Sequence, residues 1–159
     1  MSDKKNVLFI CLGNICRSPI AEAVFIDTVK KNNVADKFYI DSAAIGPWHV
    51  GKKPDRRALE TMKNHNLEYN NKARQLKTED FRKFHYIFGM DGENMADLED
   101  MKPSDGIAKL LLLGDFDPQG ERIIRDPYYD GNSAGFEKAY VQSVRCCEAF
   151  LKKLLAGEV

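Results

Sequence analysis

The chain has 159 residues, a length that suits one domain around one core, residues 1–159. Lys plus Arg and Asp plus Glu each number 24, and no basic run exceeds two residues, which gives no footing for nucleic-acid or membrane-surface binding. No stretch approaches the ~20 apolar residues of a membrane span and none resembles a secretory signal core, so a cytoplasmic protein is expected.

Asn6 to Cys11 reads as a buried strand, since its Val-Leu-Phe-Ile shows no alternation, the pattern of a parallel sheet covered on both faces. Ser18-Pro19 then suits the start of a helix, with serine as cap and proline at the first helical position. Ile20, Val24 and Thr28 would face inward. Phe38 to Ala43 is a second strand. Gly46 to Pro54 reads as a loop. Asp55 suits the cap of a helix running to about His65, and Thr78 that of a short helix near Phe81. Phe84 to Met90 is a third strand, followed by Asp91. Glu93 to Asp100 is helical, and Ile107 to Leu113 a fourth strand closed by Gly114. Ser133 to Leu155 forms a long closing helix, with an inward stripe of Phe136, Tyr140, Val144, Cys147, Leu151 and Leu154.

Alternating strands and helices imply a single α/β domain with a four-stranded, mainly parallel sheet flanked by helices. In such sheets ligands sit beyond the C-terminal strand ends. Cys11, Asp91 and Asp126 all fall there.

The segment Cys11 to Ser18, between the first strand and first helix, carries the chemistry. Backbone N–H groups at a helix start, aided by the helix dipole, form an anion site that suits phosphate. Gly13 permits a sharp turn, and Asn14 tolerates a left-handed backbone. Arg17 supplies a planar fork of donors for two oxygens of a tetrahedral oxyanion. The positive potential of such a turn favours the thiolate, the attacking form of cysteine, and the Ser18 hydroxyl can donate to the sulfur. Nucleophile and oxyanion cradle together point to covalent phosphoryl transfer.

Cys11-Leu-Gly-Asn-Ile-Cys-Arg-Ser-Pro19 resembles the phosphate-binding loop of the low-molecular-weight protein tyrosine phosphatases. Asp126-Pro-Tyr-Tyr129 is similar to that family's general-acid loop. Asp41-Ser-Ala-Ala44, Ala73-Arg-Gln75, Met90-Asp91 and Val144-Arg-Cys-Cys147 extend the likeness from about Asn6 to Leu155. The resemblance implies a phosphotyrosine and aryl phosphate hydrolase, metal-independent and without a cofactor. Its partners would be phosphotyrosine-containing proteins, with phosphate or another tetrahedral oxyanion in the site, and it would be a monomer.

By the same resemblance, Cys11 forms a phosphocysteine. Arg17 and the loop residues Leu12, Gly13, Asn14, Ile15, Cys16 and Ser18 hold the oxygens, and Ser18 assists sulfur as leaving group. Asp126 is general acid and then base. Asn14 and Ser42 shape the loop, and Asp91 orients Arg17. Trp48, Tyr128 and Tyr129 line a deep slot for a phenyl ring. Cys16 forms a reversible disulfide with Cys11, and Tyr128 or Tyr129 is a kinase target. Asn71 replaces a histidine of the mammalian-type pattern, one that belongs to the network supporting the loop. His49 and Lys52 stand in the wall loop where an acidic group can occur, which implies preference for acidic flanks.

Other readings of these residues have less support. Cys11 and Cys16 lack companions at metal-ligand spacing, and Cys146-Cys147 are adjacent. Gly46-x4-Gly51-Lys52-Lys53 lacks the Ser/Thr of a nucleotide loop. Asp126-Pro127 alone would be a turn, Tyr128 and Tyr129 packing aromatics, and Trp48 a loop residue. Cys147 fits core packing, Cys146 lies off the stripe, and His65 and His85 show no partner. A thiol-dependent arsenate reductase would need further resolving cysteines, absent between Asp80 and Cys146. A non-catalytic phosphate-binding module leaves Asp126 without a role.

Overall fold

The structure, a computed structural model, describes residues 4–159. Its elements in chain order are β1 (Lys5–Cys11), α1 (Arg17–Lys31), β2 (Phe38–Ala44), α2 (Arg56–Asn64), α3 (Asp80–Lys83), β3 (Tyr86–Gly89), α4 (Gly92–Met101), β4 (Lys109–Leu112) and α5 (Ala134–Leu155). The strands form one sheet in the order β2-β1-β3-β4, and every pairing is parallel. Val7 of β1 lies between Ile40 of β2 and Tyr86 of β3.

The sheet is covered on both faces, which is why its strands carry no polar alternation. Val7 and Phe9 join α1, α2 and α5 in one core; Leu8 and Ile10 join α3 and α4 in the other. Beneath β1 and β3 the first core is aromatic. Phe9 stacks on Phe88 at 5.4 Å between ring centroids, and Phe88 meets Phe150 of α5 edge-on at 4.8 Å. The sheet edge that carries the functional loops therefore rests on a packed floor. No helix among the described residues is long and apolar enough to cross a membrane.

Several boundaries differ from expectation. α1 begins at Arg17, with Cys16 in the cap position and no side-chain cap. Ser18 is a helical residue, because its hydroxyl is engaged by the Cys11 sulfur at 3.0 Å instead of by a backbone amide. Pro19 is still tolerated, since the first turn has no intrahelical acceptor for its missing N–H. β3 excludes Phe84, whose amide closes α3 on the Asp80 carbonyl. β4 excludes Ile107, whose amide, with that of Ala108, donates to the Phe81 carbonyl. The short α3 has no side-chain cap; Asp80 takes the Lys77 amide, and Thr78 offers its carbonyl only.

Asp55 does cap α2, accepting from the Arg57 amide, and Asp91 caps α4, accepting from the Asn94 amide. On α5 the buried stripe runs through Phe136, Ala139, Ser143, Cys146, Cys147, Phe150 and Leu151. Cys146 is thus core, while Tyr140, Val144 and Leu154 lie half-buried at its edge.

Candidate active site

Cys11 is the last residue of β1 and α1 starts six residues later, so the connecting loop must turn within a short span. The Cys11 and Leu12 carbonyls accept from the amides of Ile45 and Gly46 beyond β2, and the Ile15 carbonyl accepts from Asp55. Asn14 adopts a left-handed φ of 56°. Its amide group fixes the loop: Nδ2 donates to Ser18 Oγ at 2.8 Å and Ser42 Oγ at 2.9 Å, and Oδ1 accepts from the Arg74 amide at 3.2 Å. Cys11 is 3% exposed. Its sulfur lies 3.0 Å from Ser18 Oγ and 3.4 Å from the Ser18 amide, both groups able to donate to it.

Arg17 is 2% exposed. Its Nη1 donates to Asp91 Oδ2 at 2.6 Å and to the Ile124 carbonyl at 2.9 Å, and Nη2 is 3.7 Å from Asp126 Oδ2. Nε has no hydrogen-bond partner among the described residues. Burial alone would make the guanidinium easier to deprotonate, but Cys11 and Asp91 outweigh it, so the charge is held more firmly than usual. Asp126 is braced through Oδ1 by the Tyr128 amide at 3.1 Å.

A cleft of about 370 Å³ opens above the cysteine, lined by Cys11, Leu12, Gly13, Ile15, Cys16, Trp48, His49, Asp126, Tyr128 and Tyr129. Trp48 is 63% and Tyr129 91% exposed, so they stand at the rim, whereas Tyr128 is half-buried. Trp48 folds back over Gly46, where a Cβ would lie 1.8 Å from its ring. Cys16 is buried in the wall, and burial, then the neighbouring Cys11, push its thiol well above the usual range. Asn14, Ser18, Ser42 and Asp91 stand behind the cleft as supports, as their hydrogen bonds require. No group of three or more His, Cys, Asp or Glu among the described residues is arranged to hold a metal.

Sequence reasoning missed a second tier of support. Glu22 of α1 is 1% exposed; its Oε1 accepts from Ser42 Oγ at 2.5 Å and Tyr69 OH at 2.6 Å, and its Oε2 from Asn71 Nδ2 at 2.7 Å. Polarity then runs one way. Ser42 donates to Glu22 and accepts from Asn14, and Asn14 also donates to Ser18, leaving the Ser18 proton for sulfur. Asn71 takes its place in this tier as a neutral donor. The detectable signal was an acid inside the apolar run Pro19-Ile-Ala-Glu-Ala-Val-Phe25. Arg74 is also fixed here, bound to Asp41 and Asp80 at 3.0 Å each.

A buried cysteine at a strand end, an arginine at the following helix start and an aspartate facing that arginine define an α/β protein with a cysteine-centred loop between its first strand and first helix. The family model described as low molecular weight phosphotyrosine protein phosphatase matches residues 6–158, and the chain belongs to that family. It is 52% identical over 152 residues to low molecular weight phosphotyrosine protein phosphatase 1 of Drosophila melanogaster, covering 95% of this chain and 97% of that one. The crystal structure of Primo-1 superposes with a TM-score of 0.92 at 52% identity, covering 95% and 99% of the two chains. That of DARP, a drosophila arginine phosphatase, gives 0.89 at 39% identity, covering 93% and 96%.

Proposed function

We propose that this chain hydrolyses phosphotyrosine, and aryl phosphates generally, through a phosphocysteine. The carrying observation is the Cys11 sulfur at the cleft floor, 3.0 Å from Ser18 Oγ, with Arg17 beside it and Asp126 opposite. The substrate phosphate sits on the amides of residues 12–18, with Arg17 Nε and Nη2 on its equatorial oxygens. Donors aimed at charge that develops there supply the largest catalytic contribution. The Cys11 thiolate attacks phosphorus; a P–S bond forms as the P–O bond to the phenol breaks. Asp126 gives its proton to the departing oxygen. Water then attacks the phosphocysteine, its proton passes to Asp126, and the electron pair returns to sulfur, which Ser18 stabilises by donation. Arg17 and the amides provide the positive charge, so the sequence of steps calls on no metal.

Leu12, Ile15, Trp48, Tyr128 and Tyr129 offer apolar and aromatic surface, suited to a phenyl ring. Asp126 is the one carboxylate in the lining, which favours an aryl over a guanidino phosphate. Cys146 and Cys147 are fully buried in α5, which speaks against a thiol relay of the arsenate reductase kind. Cys16, which lines the same cleft as Cys11, is the proposed partner for a protective disulfide.

The test is turnover of p-nitrophenyl phosphate, a phosphotyrosine peptide and a phosphoarginine peptide by wild type, Cys11→Ser and Asp126→Asn. Cys11→Ser should be inactive yet bind phosphate. Asp126→Asn should lose a factor within the ~10²–10⁴ of general acid–base catalysis on the phosphotyrosine peptide. Full activity of Cys11→Ser, or preference for phosphoarginine, overturns the reading.

A further inference from the structure

The loop that carries Asp126 has no regular secondary structure between residues 117 and 133, yet a general acid must be placed to within about 1 Å. Arg57, in the first turn of α2, reaches across to it. Its Nη2 donates to the Tyr128 carbonyl and its Nη1 to the Asp130 carbonyl, each at 2.8 Å. The same guanidinium forks onto Asp55, Nε to Oδ1 at 3.1 Å and Nη2 to Oδ2 at 3.0 Å. The Asp55 amide in turn donates to the Ile15 carbonyl at 2.8 Å. A continuous tie thus joins the cysteine loop, through Asp55 and Arg57, to the residues just after Asp126.

We propose that Arg57 is the positioning residue of the acid loop, holding Asp126 in register with the phosphate on Cys11; this rests on Asp126 being the proton donor. Two features separate this role from simple charge balance. The Asp130 carboxylate is already taken by Arg125, at 2.9 and 2.5 Å, so Arg57 spends its free donors on carbonyl oxygens. The guanidinium also lies 4.5 Å above the Phe136 ring of α5, which fixes its plane while its edges grip backbone. Among the described residues no other side chain from outside residues 125–130 donates to a carbonyl of that segment.

The experiment measures kcat/KM across aryl phosphates of rising leaving-group basicity, from 2,4-dinitrophenyl through p-nitrophenyl to phenyl phosphate. The proteins are Arg57→Met, Arg57→Lys, Asp126→Asn and the double variant Arg57→Met/Asp126→Asn. Methionine keeps an apolar stem over Phe136 and removes the donors. A poorer leaving group needs the proton more, so Arg57→Met should lose about ten- to a hundredfold on phenyl phosphate and under about threefold on the dinitrophenyl ester. Inhibition by inorganic phosphate should change less than about twofold, and in the double variant Arg57→Met should cost little beyond Asp126→Asn. Arg57→Lys, with one compact donor head, should fall between; it carries the same series if Arg57→Met does not fold. An equal loss on every ester, or none, overturns the proposal while the acid assignment stands on a steepened series for Asp126→Asn. A flat series for Asp126→Asn overturns both.

Discussion

Asn14 combines two demands that can be separated by substitution. Its φ of 56° is left-handed, and its side chain makes three hydrogen bonds inside the loop. The left-handed penalty of about 1–2 kcal/mol that a Cβ meets is borne by asparagine and by Asn14→Ala alike. The Arg74 amide loses its acceptor, about 1–3 kcal/mol for a group kept from water. Ser18 and Ser42 each lose the bond they accept from Asn14 but keep another partner, so each adds about 0.5–1 kcal/mol. The variant should therefore lose about 2–5 kcal/mol, a large part of the ~5–15 kcal/mol typical of a domain. Asn14→Gly loses the same bonds without the left-handed penalty, and should recover about 1 kcal/mol relative to alanine. Urea unfolding of the three proteins reads the ladder, and inhibition by inorganic phosphate reads the loop's shape, weakened in both variants. Equal stability of the Ala and Gly variants would refute the backbone argument. Stability of both within about 1 kcal/mol of wild type would refute the hydrogen-bond argument.

Burial pushes the Cys16 and Cys147 thiols up, and that of Cys146 up to about 12, so iodoacetate at pH 7 should modify Cys11 alone and phosphate should protect it. Mass spectrometry of the native protein showing a second alkylated cysteine would contradict this. Desolvation raises the Glu22 carboxyl above its usual range despite three donors. A raised native value means stability is lost as pH climbs from the usual carboxylate range through it, so the stability of Glu22→Gln, which cannot ionise, should rise relative to wild type as pH increases across and above that range; urea midpoints that diverge the other way would refute it. Lys52, exposed on the wall loop, should favour acidic flanks, and Lys52→Glu should shift kcat/KM across a charge-varied phosphopeptide panel; an unchanged ranking would remove it from recognition.

What could be read from sequence was local. Val7 to Ile10 announces a two-faced parallel strand, and Cys11, Arg17 and Ser18 sit close enough to define an anion turn. Asp55 and Asp91 precede their helices as caps should. Ser18 departs from its expected cap position because a serine before proline satisfies the rules for a cap, while its partner, the Cys11 sulfur, lies seven residues back across the loop. The supports of the site are a different matter. Asn71 and Glu22 are 49 residues apart, and Arg57 and the carbonyls it grips are 71 and 73 apart. No periodicity encodes such pairs; the sheet order brings them together. On α5 helix periodicity fixes spacing but not which flank faces the core, so the expected stripe leaves Cys146 aside while the structure buries it.

The order β2-β1-β3-β4 divides the chemistry between the two halves of the chain. The proposed nucleophile, Cys11, and Arg17 come from the first half; the aspartates at 91 and 126 come from the second. Arg17 bonds a carbonyl 107 residues away, at Ile124. Neither half-chain can hold a competent site, so turnover is a readout of β1 against β3 and of nothing less. In refolding it would appear only after long-range pairing, among the slower events. A chain divided between α2 and α3 would make a reporter of association: two silent fragments whose meeting restores catalysis.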